Sequence, residues 1–182
     1  VDVFDAKADY VRRGLCKGHA GAVCGVDWSA NGGWMQSWCD SGELRYWCMT
    51  SLRPGPTPTS VQEFKHHSKP YTLGKEEWAT VTCPLAWGAL GAWREEEEGE
   101  GAAVYRGPPL EGGGKGWVAA SGSLGEVKVY SYPATQVGGG ADHHTSVGHA
   151  YMPSGMVYDK EVQHLVTAGA QDLAVMQWKV RV

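Results

Sequence analysis

Short apolar runs alternating with polar positions recur along this chain, and glycine-rich turns separate them, which is the pattern of β-strands. Val1-Asp-Val-Phe-Asp5 reads as a strand, and Val11 to Cys16 follows as an outer strand. Three further strands are expected around Val23 to Ser29, Trp34 to Trp38 and Glu43 to Cys48. Between them, Ala30-Asn-Gly-Gly33 and Asp40-Ser-Gly42 supply residues that turn readily. The stretch from Thr50 to Pro58 holds three prolines and a glycine and reads as a loop before an outer strand at Val61 to Phe64. A second group of strands is expected at Trp78 to Cys83, Gly116 to Ala120 and Glu126 to Tyr132, and a third at Gly155 to Tyr158, His164 to Ala168 and Ala174 to Val180.

One pattern is written twice. Gly18 to Trp47 and Gly148 to Trp178 both run Gly-His, apolar strand, turn, apolar strand, Asp, apolar strand, Trp. Self-similarity near the period of a four-stranded blade is the signature of a WD40 β-propeller. The predicted class is therefore all-β, with about three WD40 blades and part of a fourth. Residues 1–17 would end a preceding blade, 18–65 form a blade, 66–147 form a divergent blade with an acidic and Gly-rich insertion, and 148–182 form a blade lacking its outer strand. A closed ring needs more blades, and open blades leave unpaired strand edges, so a segment of a larger propeller is expected, with blades missing on both sides.

The repeated residues suit a buried hydrogen-bond relay. His149, Thr167, Asp172 and Trp178 occur in that order in the last copy; His19, Ser37, Asp40 and Trp47 are their counterparts in the first. An indole N–H donates only, a hydroxyl both donates and accepts, and His and Asp link that pair to the turns. Asp40 stands seven residues before its Trp, whereas Asp172 stands six before. Buried polar groups are normally paired with one another, so these side chains are expected to be scaffold rather than catalytic groups or metal ligands.

The formal charge is −4, and Arg12, Arg13, Lys17, Lys65, Lys69 and Lys75 are scattered, which argues against a nucleic-acid platform. No apolar run is long enough to span a bilayer, so no membrane partner is expected. The five cysteines lack C-x-x-C spacing and read as buried thiols, neither disulfides nor a zinc site. His66-His67 and His143-His144 read as solvated loop histidines. There is no Gly-rich phosphate loop, Gly-x-Ser-x-Gly or His-Glu-x-x-His, so no enzyme, catalytic residue, metal or cofactor is expected. The acidic run Glu95, Glu96, Glu97 and Glu98 repels itself and suits a solvated loop tip, or a contact with a basic partner.

Several stretches together resemble the carboxy-terminal WD40 propeller of the echinoderm microtubule-associated protein-like family. They are Cys16-Lys-Gly-His19, Val26-Asp-Trp-Ser29, Leu44-Arg-Tyr-Trp47, Glu77-Trp-Ala-Thr80, Gly91-Ala-Trp93, Val127-Lys-Val-Tyr-Ser-Tyr-Pro133, Leu165-Val-Thr-Ala-Gly169 and Val175-Met-Gln-Trp178. The resemblance runs over nearly the whole chain. It implies a non-enzymatic microtubule-associated scaffold whose partners are tubulin or a microtubule wall and other cytoskeletal proteins. It also implies a place in the cytoplasm and cytoskeleton, with the cilium and its axoneme within the family's range. A general WD40 interaction adaptor is the alternative, since one fold hosts many roles. Two departures stand out. Ser121-Gly-Ser-Leu-Gly125 lacks the acidic turn residue of the family's middle blade, and Tyr130 or its neighbour takes the relay Trp position, so packing should hold that blade.

Overall fold

Alternation becomes sheet wherever a turn lets the next run fold back. The computed structural model describes residues 1–53, 55, 57–64, 73, 76–92, 103–109, 116–136 and 142–180. Within them the chain is almost entirely β, in four sheets. Two compact units, Val1–Thr80 and Val81–Val182, each hold two of these sheets.

In the first unit β1 (Asp2–Asp5) pairs antiparallel with β2 (Val11–Leu15). A second sheet is the meander β3 (Val23–Trp28), β4 (Trp34–Cys39) and β5 (Leu44–Cys48). The outer strand expected at Val61 to Phe64 is instead split. β6 (Thr59–Ser60) pairs parallel with β2, and β7 (Gln62–Glu63) pairs antiparallel with β5. Val61, at the crossing, is buried in one core with Val3, Cys16, Met35, Trp47 and Met49. The crossing passes so close to β2 that a Cβ on Gly14 would stand 2.6 Å from Leu52 Cδ2 and 2.7 Å from Val61 Cγ2. Only glycine leaves room there.

The second unit contains β8 (Val104–Gly107), β9 (Trp117–Ser121), β10 (Glu126–Ser131) and β11 (His143–Val147) in the order β11-β10-β9-β8. Its other sheet is β12 (Gly155–Asp159), β13 (His164–Ala168) and β14 (Val175–Lys179). β9 does not alternate: Trp-Val-Ala-Ala-Ser is buried at every position, as a strand covered on both faces must be. Trp117 lies across Gly107, where an added Cβ would meet its ring at 1.9 Å. It meets Tyr158 edge-on at 5.2 Å, in a core shared with Ala119, Val127 and Leu165.

Three expectations are corrected. Trp78 to Cys83 is not a strand beside β9. Its first residues lie along β3 instead: Ala79 N–H donates to Trp28 O at 2.8 Å, Ala30 N–H donates to Glu77 O at 2.7 Å, and Ser29 bridges Trp78. The strand beside β9 is β8, from the Pro- and Gly-rich stretch read as insertion. An apolar run shows that a strand forms but not which edge it will find, and the four residues of β8 are too short to stand out. His143 and His144 are not loop residues; they lie in β11, where the His143 ring stacks on Tyr130 at 4.9 Å. The five cysteines form no disulfide, and Cys16, Cys39 and Cys83 are buried, but Cys24 is exposed and Cys48 half-buried.

Candidate functional site

The third meander builds the relay from all four expected residues. The Trp178 indole donates to Thr167 Oγ1 at 2.8 Å, and Thr167 Oγ1 lies 2.8 Å from His149 Nε2. His149 Nδ1 is 2.8 Å from Asp172 Oδ2. Because the Asp172 carboxylate can only accept, it holds the imidazole proton on Nδ1, which leaves Nε2 to accept from the Thr167 hydroxyl while that hydroxyl accepts from the indole. Asp172 also accepts from Ala150 N–H at 3.0 Å and Ala174 N–H at 3.1 Å. The Ala174 N–H first, then His149 and the Ala150 N–H, outweigh burial and hold the Asp172 carboxyl below its ordinary value.

The first meander repeats half of this arrangement. Trp47 Nε1 donates to Ser37 Oγ at 2.8 Å, and Ser37 Oγ lies 2.7 Å from His19 Nε2. Asp40, expected to complete the relay, does not. It is exposed in the β4–β5 turn, with Oδ1 packed against Gly21. Glu43 stands in its place, accepting from Ala20 N–H at 3.1 Å as Asp172 accepts from Ala150, with Oε2 3.5 Å from His19 Nδ1. The reason lies in the register. Trp38 faces Leu44 across the first turn, whereas Ala168 faces Val175 across the second, so the first turn is one residue shorter. A carboxylate placed before the bend no longer points at the histidine, and the longer glutamate after Gly42 reaches back instead.

Glu43 is held by more than this. Arg45 Nε donates to its Oε2 at 3.3 Å and the Arg45 guanidinium donates to its Oε1 at 3.4 Å, while Arg45 also pairs with Glu63 at 2.7 Å. The Ala20 N–H first and then Arg45 keep the Glu43 carboxyl below its ordinary value. Burial, followed by the Arg45 charge, lowers the His19 imidazole against the pull of Glu43. Cys39 closes the cluster: its Sγ is 3.8 Å from Glu43 Oε2 and 3.0 Å from Ser41 Oγ. Burial raises the Cys39 thiol, but hydrogen bonds from Ser41 and from the backbone of Glu43, Ser41 and Gly21 outweigh it and bring it below its ordinary value.

The middle sheet has no such relay among the described residues. Ala120 faces Lys128 where Ser37 faces Arg45 and Thr167 faces Met176, so an alanine takes the hydroxyl position and Tyr130 the Trp position. The acid expected to be absent from its turn stands just beyond it: Glu126 accepts from Leu124 N–H at 2.8 Å and lies 3.4 Å from Lys128 Nζ. Glu126-Val-Lys128 thus repeats the Glu43-Leu-Arg45 pattern, a signal the sequence carried. A further buried carboxylate also had no sequence reading. Asp27 on β3 is fully buried, accepting from Gln36 Nε2 at 3.0 Å and from Thr80 Oγ1 at 2.6 Å. The acidic residues Glu95 to Glu98, with Trp93, His66 and His67, lie outside the described residues.

No helix among the described residues is long and apolar enough to cross a membrane. Residues 1–180 match the family described as the echinoderm microtubule-associated protein second beta-propeller. Similar proteins include echinoderm microtubule-associated protein-like 1 of Rattus norvegicus, 28% identical over 179 residues, covering 98% of this chain and 20% of that protein. Echinoderm microtubule-associated protein-like 2 of Homo sapiens is 27% identical over 170 residues, covering 93% of this chain and 23% of its own length. The 77 kDa echinoderm microtubule-associated protein of Lytechinus variegatus is 25% identical over 172 residues, covering 94% and 23%. The chain thus spans about a fifth of the length of the curated relatives it matches. With a family match running from its first strand through its last, and with meanders of the kind that make propeller blades, this chain belongs to the echinoderm microtubule-associated protein second β-propeller family.

Proposed function

We propose that this chain is part of a non-enzymatic, microtubule-associated scaffold that meets tubulin or the microtubule wall through propeller surfaces. The observation that carries this reading is the family match over residues 1–180, joined to relatives whose names describe microtubule association. The chemistry of the blades supports it. Thr167 and His149 are each spent on neighbours of their own meander, which supports a scaffold role for the polar residues there. On this reading the protein resides in the cytoplasm and cytoskeleton, and the doublet microtubules of the cilium are its finer location. The acidic run from Glu95 to Glu98 would then face a basic partner protein rather than tubulin, whose outer surface is itself acidic.

Co-sedimentation of the complete protein with stabilised microtubules tests the reading. The protein should enter the pellet at low salt and leave it as salt rises, and absence from the pellet at low salt would overturn it. In a ciliated cell, retention on the doublets after salt extraction of the axoneme is the expected result for the finer location. A diffuse cytosolic signal would favour the adaptor.

A further inference from the structure

The relay of the first meander leaves one atom unsatisfied. The His19 side chain is only 5% exposed, and its buried Nδ1 has no hydrogen-bond partner. In the third meander the same atom is taken by a carboxylate at 2.8 Å. A buried polar atom left orphaned beside a thiol and a carboxylate calls for an explanation.

We propose that His19, Cys39 and Glu43 form a binding site for a borderline-soft divalent cation, zinc in the first instance. Their ligand atoms all lie within 4.8 Å of one another. His19 Nδ1 stands 3.5 Å and Cys39 Sγ 3.8 Å from Glu43 Oε2. Tetrahedral zinc, with bonds of about 2.0–2.3 Å, holds neighbouring ligand atoms about 3.3–3.6 Å apart, so small side-chain adjustments close the site. One sulfur, one imidazole and one carboxylate suit zinc better than calcium or magnesium, which take oxygen ligands. The fourth position falls to water, with access from the side of Glu43, whose side chain is 33% exposed.

The surroundings fit a cation. On coordination Cys39 gives up its thiol proton to solvent, and His19 binds as neutral imidazole through Nδ1. Its proton then sits on Nε2 and is donated to Ser37 Oγ, whose two lone pairs accept both this bond and that from Trp47. Ser37 thereby orients the ligand from behind, as outer-shell partners of metal-bound histidines do. Arg45 is the opposing charge, but it faces Glu43 and Glu63, and with the Cys39 thiolate these three negative groups leave a surplus that a divalent ion neutralises. The metal replaces the Cys39 thiol and Arg45 Nε contacts to Glu43 Oε2, at 3.8 and 3.3 Å, while that oxygen keeps the Ala20 N–H and the guanidinium keeps Glu63 at 2.7 Å. Gly169 occupies the place of Cys39 in the third meander, so no thiol stands there.

Cobalt(II) titration of the complete protein, first stripped with chelator, tests the site. The expected result is a thiolate-to-cobalt charge-transfer band that saturates near one equivalent and is abolished by zinc, seen as the difference between wild type and Cys39→Ala. Glu43→Gln should keep the band and weaken cobalt binding by at least about tenfold, since even outer-shell changes cost that much. Asp172→Asn should leave the titration unchanged. Failure of the wild type to develop the band, its persistence in Cys39→Ala, or unaltered affinity in Glu43→Gln would each overturn the site. Glu43→Gln decides the matter even if Cys39→Ala misfolds, because Glu43 is partly exposed.

Discussion

The first and third meanders solve one problem with different residues. Each must tie the loop before its first strand to the turn between its last two, and each begins with histidine, hydroxyl and indole. In the third, Asp172 reaches Nδ1 of the histidine directly at 2.8 Å. In the first, a turn one residue shorter carries Asp40 away, and Glu43 stops at 3.5 Å. The difference teaches that the strand-borne part of a relay is fixed by pleat and register, while the turn-borne part follows the geometry of the bend. Ser or Thr and Trp recur because the pairing of the second and third strands places them together, and the Gly-His loop before the first strand brings the histidine to them; the acid need only arrive from somewhere in the turn.

The largest effect expected is at the indoles. Trp47 is fully buried whereas Trp178 is only partly so. Trp47→Ala should therefore cost about 3–5 kcal/mol, as large-to-small changes in a packed core do, and Trp178→Ala should cost clearly less. Urea unfolding of the complete protein checks the order, and equal losses would mean that the two meanders are equally covered. Next comes the hydroxyl. Thr167 is fully buried and serves both Trp178 and His149. Thr167→Val keeps the shape but strands both partners, an effect of about 1–3 kcal/mol. The middle sheet supplies the contrast, because Ala120 already stands at this position, and Ala120→Ser should bring no gain without a histidine or indole to meet it.

Strands β3, β4, β5, β10, β12, β13 and β14 were legible because apolar positions and turn residues mark them locally, and β9 because it is a short continuous apolar run. The paired Gly-His and Trp landmarks made His19, Trp47, His149 and Trp178 legible too. Pairing partners were not, because no local pattern says which edge a strand will meet: Glu77 to Thr80 joins β3, and Val61 bridges two sheets. Glu43 was hidden because counting residues back from the Trp treats the two turns as equal. The left-handed backbone of Gly42, with φ of 75°, sits just before Glu43, while Leu173, with φ of 54°, sits just after Asp172. The acid therefore lies on opposite sides of the bend in the two meanders. Cys39 looked like one more buried thiol until the orphaned nitrogen of His19 was seen beside it.

Acid weakens both relays more gently. The Asp172 carboxyl is held below its ordinary value, first by the Ala174 N–H. Such a group binds its proton less readily folded than unfolded. Its contribution to stability is present above the ordinary carboxylate range and is lost as pH falls through the folded value. Melting temperature should fall as pH is lowered from about 5, and Asp172→Asn should flatten that fall by removing one contributing group. Glu43→Gln should do the same, since the Ala20 N–H and Arg45 hold Glu43 down as well. If neither substitution changes the slope, the acid response belongs to other carboxylates.

The smallest expected effect is the one that most sharpens the comparison. Asp40 resembles Asp172 by its place in the repeat, yet it is exposed, and its carboxylate packs against Gly21 rather than meeting the histidine. Asp40→Ala should move stability by no more than about 0.5 kcal/mol, as exposed substitutions usually do. Glu43→Ala should exceed it, because that change also removes the acceptor of the Ala20 N–H and a partner of Arg45. The two residues are close enough to couple, so the double variant belongs in the same series. If Asp40 is outside the relay, the double variant should match Glu43→Ala to within the small single effect. A loss at Asp40 equal to that at Glu43 would instead return Asp40 to the relay and make the two meanders copies after all.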